Sequence, residues 1–281
     1  TWPVPFADGI PVLLGYRGRR VVVLASGDPF WFGAGTTLAR ELGPGEWHAL
    51  PGVSTFSLAA ARMGWALERL PCLGLHAAPF QRLRPHLAAG ARAIVLLRDG
   101  AAVAELAVWL CEQGFGATRM TVMEALGGPR ERVRTSLAET YDLQDVAHPV
   151  CAALEIQGPG AVLTLAAGRS DNWFDNDGQI TKRPVRALTL SALAPRAGEH
   201  LWDIGAGSGS VGIEWLLSGG DLRATAIEAD EERAARLSAN AARLGVEDRL
   251  TLDLSDWYGT VGGRFGLIVS NPPYIAASEM P

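Results

Sequence analysis

The stretch Asp203-Ile204-Gly205-Ala206-Gly207-Ser208-Gly209, with Glu228 about twenty residues further on, decides the fold of the second half of this chain. It joins the strand-like run His200–Ile204 to a helical pattern through Leu217. A strand that ends in glycines lets the backbone turn tightly beneath a ligand, and the following helix offers free N–H groups to an anion. Glu228 closes a second strand, Ala224–Glu228, where a carboxylate can accept hydrogen bonds from ribose hydroxyls. Both features suit a nucleoside. The spacing is G-x-G-x-G, and the Asp203 carboxylate at the strand end would repel a pyrophosphate but suits an ammonium group. S-adenosylmethionine is therefore favoured, with a dinucleotide and a plain tight turn as the alternatives.

Working outward, the helical patterns Val185–Leu193 and Glu231–Leu244 alternate with strands Leu250–Leu254 and Gly266–Ser270, the grammar of a doubly wound sheet. The first half repeats a strand, turn and helix pattern. Val21–Ala25 is a β-branched run that ends in Ser26-Gly27-Asp28-Pro29 and leads to a helix over Gly33–Leu42. Pro51-Gly52-Val53-Ser54 precedes a helix through Leu58, Ala61 and Trp65, with Ser54 as its N-cap. Ala93–Leu97, Met120–Glu124 and Val150–Ile156 read as strands, and an Ala-rich helix runs to Gln113. This alternation predicts an α/β domain with a largely parallel sheet. Gly158-Pro159-Gly160 and the polar stretch Gly168–Gly178 mark a break, so the expected division is a domain over 1–160, a linker over 161–178 and a second domain over 179–281.

Composition narrows the function classes. With 281 residues, 48% hydrophobic and 20% charged, the chain is globular and long enough for two cores. No apolar run approaches the ~20 residues that cross a bilayer, so no membrane partner is expected. Cys72, Cys111 and Cys151 are odd in number and far apart, which encodes neither a disulfide framework nor a zinc site and suits a reducing, cytoplasmic setting. The five histidines are scattered without metal-ligand spacing, and no metal is expected. The net charge of −5 falls entirely in the second half, where 11 basic face 16 acidic residues, so nucleic acid is disfavoured as a partner. There is no GxSxG, Cys–His or P-loop signature, and no catalytic nucleophile is assigned.

The second half resembles class I S-adenosylmethionine-dependent methyltransferases. That resemblance implies that Gly205, Gly207 and Gly209 cradle the methionine part with Asp203 beside them, that Glu228 holds the ribose, and that Asp256, or else Asp253, faces the adenine. The first-half loops, Ser26-Gly27-Asp28-Pro29-Phe30 and Pro51-Gly52-Val53-Ser54-Thr55, resemble those of the tetrapyrrole (class III) methylases, and Gly127-Gly128-Pro129-Arg130-Glu131-Arg132 fits a later turn of that family. There the loops line a cleft for S-adenosylmethionine and a macrocycle, which implicates Ser26, Gly27, Asp28, Gly52 and Ser54. Trp31 and Phe32, next to the first loop, could wall a flat ring, although a core role is the simpler reading.

The two halves together resemble the bifunctional precorrin-6Y C(5,15)-methyltransferases (decarboxylating) of cobalamin synthesis over about residues 1–240, supported by the junction Asp171–Lys182 and by Val185-Arg186-Ala187-Leu188. Pro184 stands where that family would carry an acid. From about residue 243, Ser255-Asp256-Trp257 and Asn271-Pro272-Pro273-Tyr274 instead resemble release-factor glutamine methyltransferases, in which Asn271, Pro272 and Tyr274 would grip a planar amide.

The expected fold is thus a tetrapyrrole-methylase-like (class III) α/β domain followed by a Rossmann-like class I methyltransferase domain. Both are expected to be truncated, one before Thr1 and the other after Tyr274. The expected activity is methylation of two ring-bridging carbons of a precorrin with loss of an acetate carboxylate. The cofactor is S-adenosyl-L-methionine and the partner a small tetrapyrrole; a homo-oligomer is left open. Glutamine methylation of a protein, or a non-catalytic fragment that binds the cofactor, are the alternatives.

Overall fold

The computed structural model describes residues 2–255 and 266–270. Its chain divides into two units, one of Thr1–His76, Arg92–Glu105 and Arg119–Glu155, the other of Ala77–Ala91, Leu106–Thr118 and Ile156–Pro281.

The first unit holds helices α1 (Gly9–Leu14), α2 (Ala34–Glu41) and α3 (Thr55–Met63), and strands β1 (Cys72–Gly74), β2 (Arg92–Leu97), β3 (Arg119–Glu124), β4 (Arg132–Leu137) and β5 (Val150–Glu155); α4 (Gly100–Glu112) has residues in both units. Ser54 caps α3 as expected, its side chain accepting from the Ser57 N–H at 3.1 Å, and Gly64 stops the helix in the left-handed region at φ 64°. Phe56, Ala59 and Ala60 of α3 then pack on Ile94, Met123, Cys151 and Ala153 of the sheet to form the core.

The strand order is β1-β2-β5-β3-β4, and only β1 and β2 run parallel. The expected largely parallel sheet is corrected to a mixed one, because β5 inserts between β2 and β3 and runs against both. β3 and β4 are joined by a short turn that can only return the chain antiparallel, with Glu124 opposite Arg132. The sequence reading ended a turn at Arg132 and missed β4, an exposed edge strand with little apolar signal. Val21–Ala25, expected as a strand, pairs with no strand among the described residues. Val22 and Leu24 lie 77% and 92% exposed. β-branched composition favours extended backbone, but a strand exists only where a neighbour completes its hydrogen bonds.

The second unit follows the expected pattern closely. Helices α5 (Arg183–Leu193), α6 (Ser210–Leu216) and α7 (Glu231–Arg243) accompany strands β6 (His200–Ile204), β7 (Arg223–Glu228), β8 (Leu250–Leu254) and β9 (Leu267–Ser270). All are parallel in the order β8-β7-β6-β9, with Asp203 of β6 opposite Ala226 on one side and Val269 on the other. The order reverses at β6, which has β7 on one side and β9 on the other, and such sheets bind ligands in the crevice beyond the carboxyl ends of their strands at this switch point. Leu201, Ile213, Trp215, Leu216, Ala224 and Leu244 fill the core.

Residues 161–178, expected as a linker, are built into this unit. Leu163 and Phe174 join its core, and the Gly168 and Arg169 N–H groups donate to the Glu214 carboxylate of α6 at 2.8 and 2.9 Å. Glu214 and Arg186 are fully buried and paired at 2.6 Å, and the Arg186 guanidinium lies 4.9 Å above the Phe174 ring. No described helix is long and apolar enough to cross a membrane.

Candidate cofactor site

The loop between β6 and α6 is shaped by its backbone. Gly205, Gly207 and Gly209 have φ of 68°, 56° and 75°, a region closed to most side chains. Gly205 N–H and Ala206 N–H both donate to the Ile227 carbonyl of β7, at 2.9 and 3.0 Å, and Gly209 N–H closes on Ala206 O at 2.8 Å. The glycines divide their tasks. A Cβ at Gly205 or Gly207 would meet nothing within 4 Å, so these two border open space, whereas one at Gly209 would fall 2.7 Å from Leu237 of α7.

Glu228, at the end of β7, is only 7% exposed. One carboxylate oxygen, Oε2, accepts from Gly207 N–H at 2.7 Å and the other, Oε1, from Asp230 N–H at 3.0 Å. A carboxylate has about four acceptor positions, so Glu228 holds the loop and retains capacity for two hydroxyl donors.

Asp203 lies beneath the loop and is 4% exposed. Its Oδ2 accepts from Gly212 N–H in the first turn of α6 at 3.0 Å, and a Cβ at residue 212 would sit 2.9 Å from that oxygen. Asp203 thus caps a helix amide that the sequence reading had offered to an anion. Burial, reinforced by the nearby Glu228 charge and opposed by the Gly212 hydrogen bond, pushes its carboxyl up to about 7. Asp253 lies half-buried on β8. Asp256, Asn271, Pro272 and Tyr274 lie outside the described residues.

The two loops of the first unit also come together. Gly52 N–H donates to Gly27 O at 3.3 Å, and a Cβ at Gly52 would meet that oxygen at 2.8 Å. Asp28 accepts from Phe30 N–H at 2.8 Å in a local turn, Ser54 is the α3 cap, and Ser26 is exposed. Trp31 and Phe32 gather around buried Phe56, with ring centroids 5.0 and 5.8 Å away, yet are 37% and 48% exposed. The later turn is tied to α3 by Glu131, which accepts from Gly127 N–H at 2.8 Å and from Arg62 at 2.6 and 2.9 Å.

Sequence reasoning missed Asn240 of α7, which is 1% exposed and donates to Ser208 O, inside the glycine loop, at 3.0 Å. Its signal was a polar residue on the helix face otherwise buried through Ala234, Leu237 and Ala241.

Residues 13–141 match the family of Tetrapyrrole (Corrin/Porphyrin) Methylases, and residues 172–255 match the Precorrin methyltransferase domain. The chain is 52% identical over 249 residues to a precorrin-6Y C(5,15)-methyltransferase [decarboxylating] from Sinorhizobium sp, covering 88% of this chain and 60% of the relative. It is 40% identical over 262 residues to the protein of that name from Mycobacterium tuberculosis, covering 91% of this chain and 64% of the relative. A release factor glutamine methyltransferase from Cereibacter sphaeroides is 44% identical over 101 residues, 36% of each chain. The chain therefore spans less than two thirds of the length of each of these curated relatives. The fold is thus that of a tetrapyrrole-methylase-like α/β domain, with its family match over 13–141, followed by a Rossmann-like methyltransferase domain, with its match over 172–255.

Proposed function

We propose that this chain is part of an enzyme that methylates precorrin-6Y at two ring-bridging carbons and removes an acetate carboxylate as carbon dioxide, in cobalamin synthesis. The observation that carries the reading is the Gly205–Gly209 loop, held open-faced by Glu228 at the end of β7. Its support is the identity to two relatives of that name across most of this chain.

S-adenosyl-L-methionine, when bound, supplies a methyl group on a sulfonium centre. The residues present fit it, since Gly205 and Gly207 leave a cradle that a Cβ would fill and Glu228 keeps free acceptor positions. We assign the methionine part to Gly205, Gly207 and Gly209, the ribose to Glu228 and the adenine to Asp256, with Asp203 shaping the loop from below. Ser26, Gly27, Asp28, Gly52 and Ser54 are assigned to the cofactor cleft of the first domain. Methylation at an electron-rich carbon asks for alignment and exclusion of water rather than a strong base. The chain's contribution is then rigid backbone and buried carboxylates. We place the domain division near residue 160, supported by family matches over 13–141 and 172–255 and by the packing of Leu163 and Phe174 into the second core, and we assign a cytoplasmic setting, supported by three cysteines that are odd in number and far apart in the sequence.

Mass spectrometry of precorrin-6Y incubated with the full enzyme and cofactor tests the reading, with a gain of two methyl groups and loss of carbon dioxide expected. No calorimetric binding heat with S-adenosylmethionine, and no change on Gly207→Arg, would leave a non-catalytic fragment. The match to a release factor glutamine methyltransferase favours a second reading, methylation of a protein glutamine. Methyl incorporation into a glutamine-containing release-factor peptide, with the precorrin unchanged, would replace the first reading by this one.

A further inference from the structure

Asn240 fills every hydrogen-bonding position of its side-chain amide while 1% exposed. Nδ2 donates to Ser208 O at 3.0 Å and to Asp175 O at 2.9 Å. Oδ1 accepts from Asp175 N–H at 2.9 Å and from Arg243 Nη2 at 2.8 Å. The donors and acceptors opposite it allow one orientation of the amide, because the Asp175 N–H can only donate and the Ser208 carbonyl can only accept. One side chain thereby reads both backbone groups of Asp175 and holds the glycine loop at the same time.

The segment that Asn240 grips continues along α7 toward its N-terminus. Asp175 and Asp177 face Arg236 at 3.7 Å, and Asp177 and Gln179 meet Arg233 at 2.8 and 2.9 Å. Arg233, which holds Asp177 and Gln179, stands in the first turn of α7, the helix that starts just after Glu228. Beyond residue 182 the chain enters α5, whose Arg186 pairs with Glu214 of α6 at 2.6 Å. The arm therefore passes from α7 to α6, the two helices whose N-termini flank the crevice.

We propose that Asn240 is a positioning residue for the cofactor: it locks residues 172–179 to Ser208, making this arm one wall of the crevice and fixing the loop in its ligand-ready shape. The proposal rests on the assignment of Gly205–Gly209 to S-adenosylmethionine. Removing a fully satisfied buried amide leaves the Asp175 and Ser208 groups without partners, so arm and loop loosen together.

The test is calorimetry of S-adenosylhomocysteine on the full chain, paired with hydrogen exchange of the ligand-free protein. Asn240→Ala and Asn240→Asp should each weaken binding at least tenfold and speed exchange at both 172–179 and 205–212, and a merely structural role would not confine faster exchange to these two segments. Should neither variant fold, the double variant Arg233→Met, Arg236→Met frees the arm tip without entering the core and should weaken binding about threefold. Wild-type protein without binding heat overturns the cofactor assignment and this proposal with it. Wild-type binding that the variants match, or exchange that stays unchanged at 205–212, overturns the clamp alone.

Discussion

Gly207 donates its backbone N–H to Glu228 Oε2 at 2.7 Å, so the loop that borders the crevice is held from the end of the neighbouring strand. Glu228→Ala removes the acceptor of both this N–H and that of Asp230. We expect a stability loss of about 1–3 kcal/mol in chemical denaturation and at least tenfold weaker cofactor binding by calorimetry.

Two glycines of the same loop should respond differently to one methyl group. Gly209→Ala drives a Cβ to 2.7 Å from Leu237 on top of a φ of 75°, so thermal unfolding should shift down clearly. Gly207→Ala meets nothing within 4 Å and carries only the backbone strain of a left-handed residue, about 1–2 kcal/mol, so its smaller shift in the same melt checks the contrast.

Asp203 sets a pH dependence of unusual sign for a carboxylate. Its carboxyl is pushed up to about 7 from an unperturbed 3.8, so between these values the folded chain binds a proton that the unfolded chain has lost. Its contribution to stability therefore falls as pH rises through that window. Asp203→Asn no longer titrates, and its melting temperature relative to wild type should climb between about pH 4 and pH 7. A constant difference across that range would contradict the assignment.

Glu214 is the hub of a buried ionic cluster with Arg169 and Arg186, all at most 4% exposed. Glu214→Ala leaves the buried Arg169 without its carboxylate, Arg186 with Asp171 alone at 2.9 Å, and the Gly168 and Arg169 N–H groups without their acceptor, and should cost about 3–5 kcal/mol in urea denaturation followed by Trp fluorescence.

Glu124 gives the opposite pH behaviour in the first unit. Burial acts to raise its carboxyl, but Arg132, the Ala147 N–H and Arg134 together hold it below its ordinary 4.5. The stability it supplies is complete above that value and fades as pH falls through the lowered one. Acid unfolding of Glu124→Gln should be correspondingly less steep when followed by circular dichroism.

Local signals in the sequence carried the second unit. β6, its glycine turn and α6 are adjacent in the chain, and β7 returns Glu228 to them by the ordinary geometry of a parallel sheet. The Ser54 cap and Gly64 stop were equally local. What escaped notice depends on distant partners: β5 entering between β2 and β3 is a pairing across the sequence, and β4 is half polar because one face is exposed. Asn240 on the apolar face of α7 and Glu214 within the wholly buried α6 find their partners only in the distant segment that carries Gly168, Arg169 and Asp175. Arg169, inside a stretch rich in turn residues, gave no sign that its segment was core.

The unpaired run Val21–Leu24 has a practical consequence. β-branched and aliphatic side chains exposed by 37–92%, on backbone that no described strand pairs, form the kind of template on which chains stack edge to edge. How far the protein can be concentrated before it aggregates should then depend on these four residues more than on its net charge of −5. A single lysine in place of Leu24 would be the economical gatekeeper for handling it.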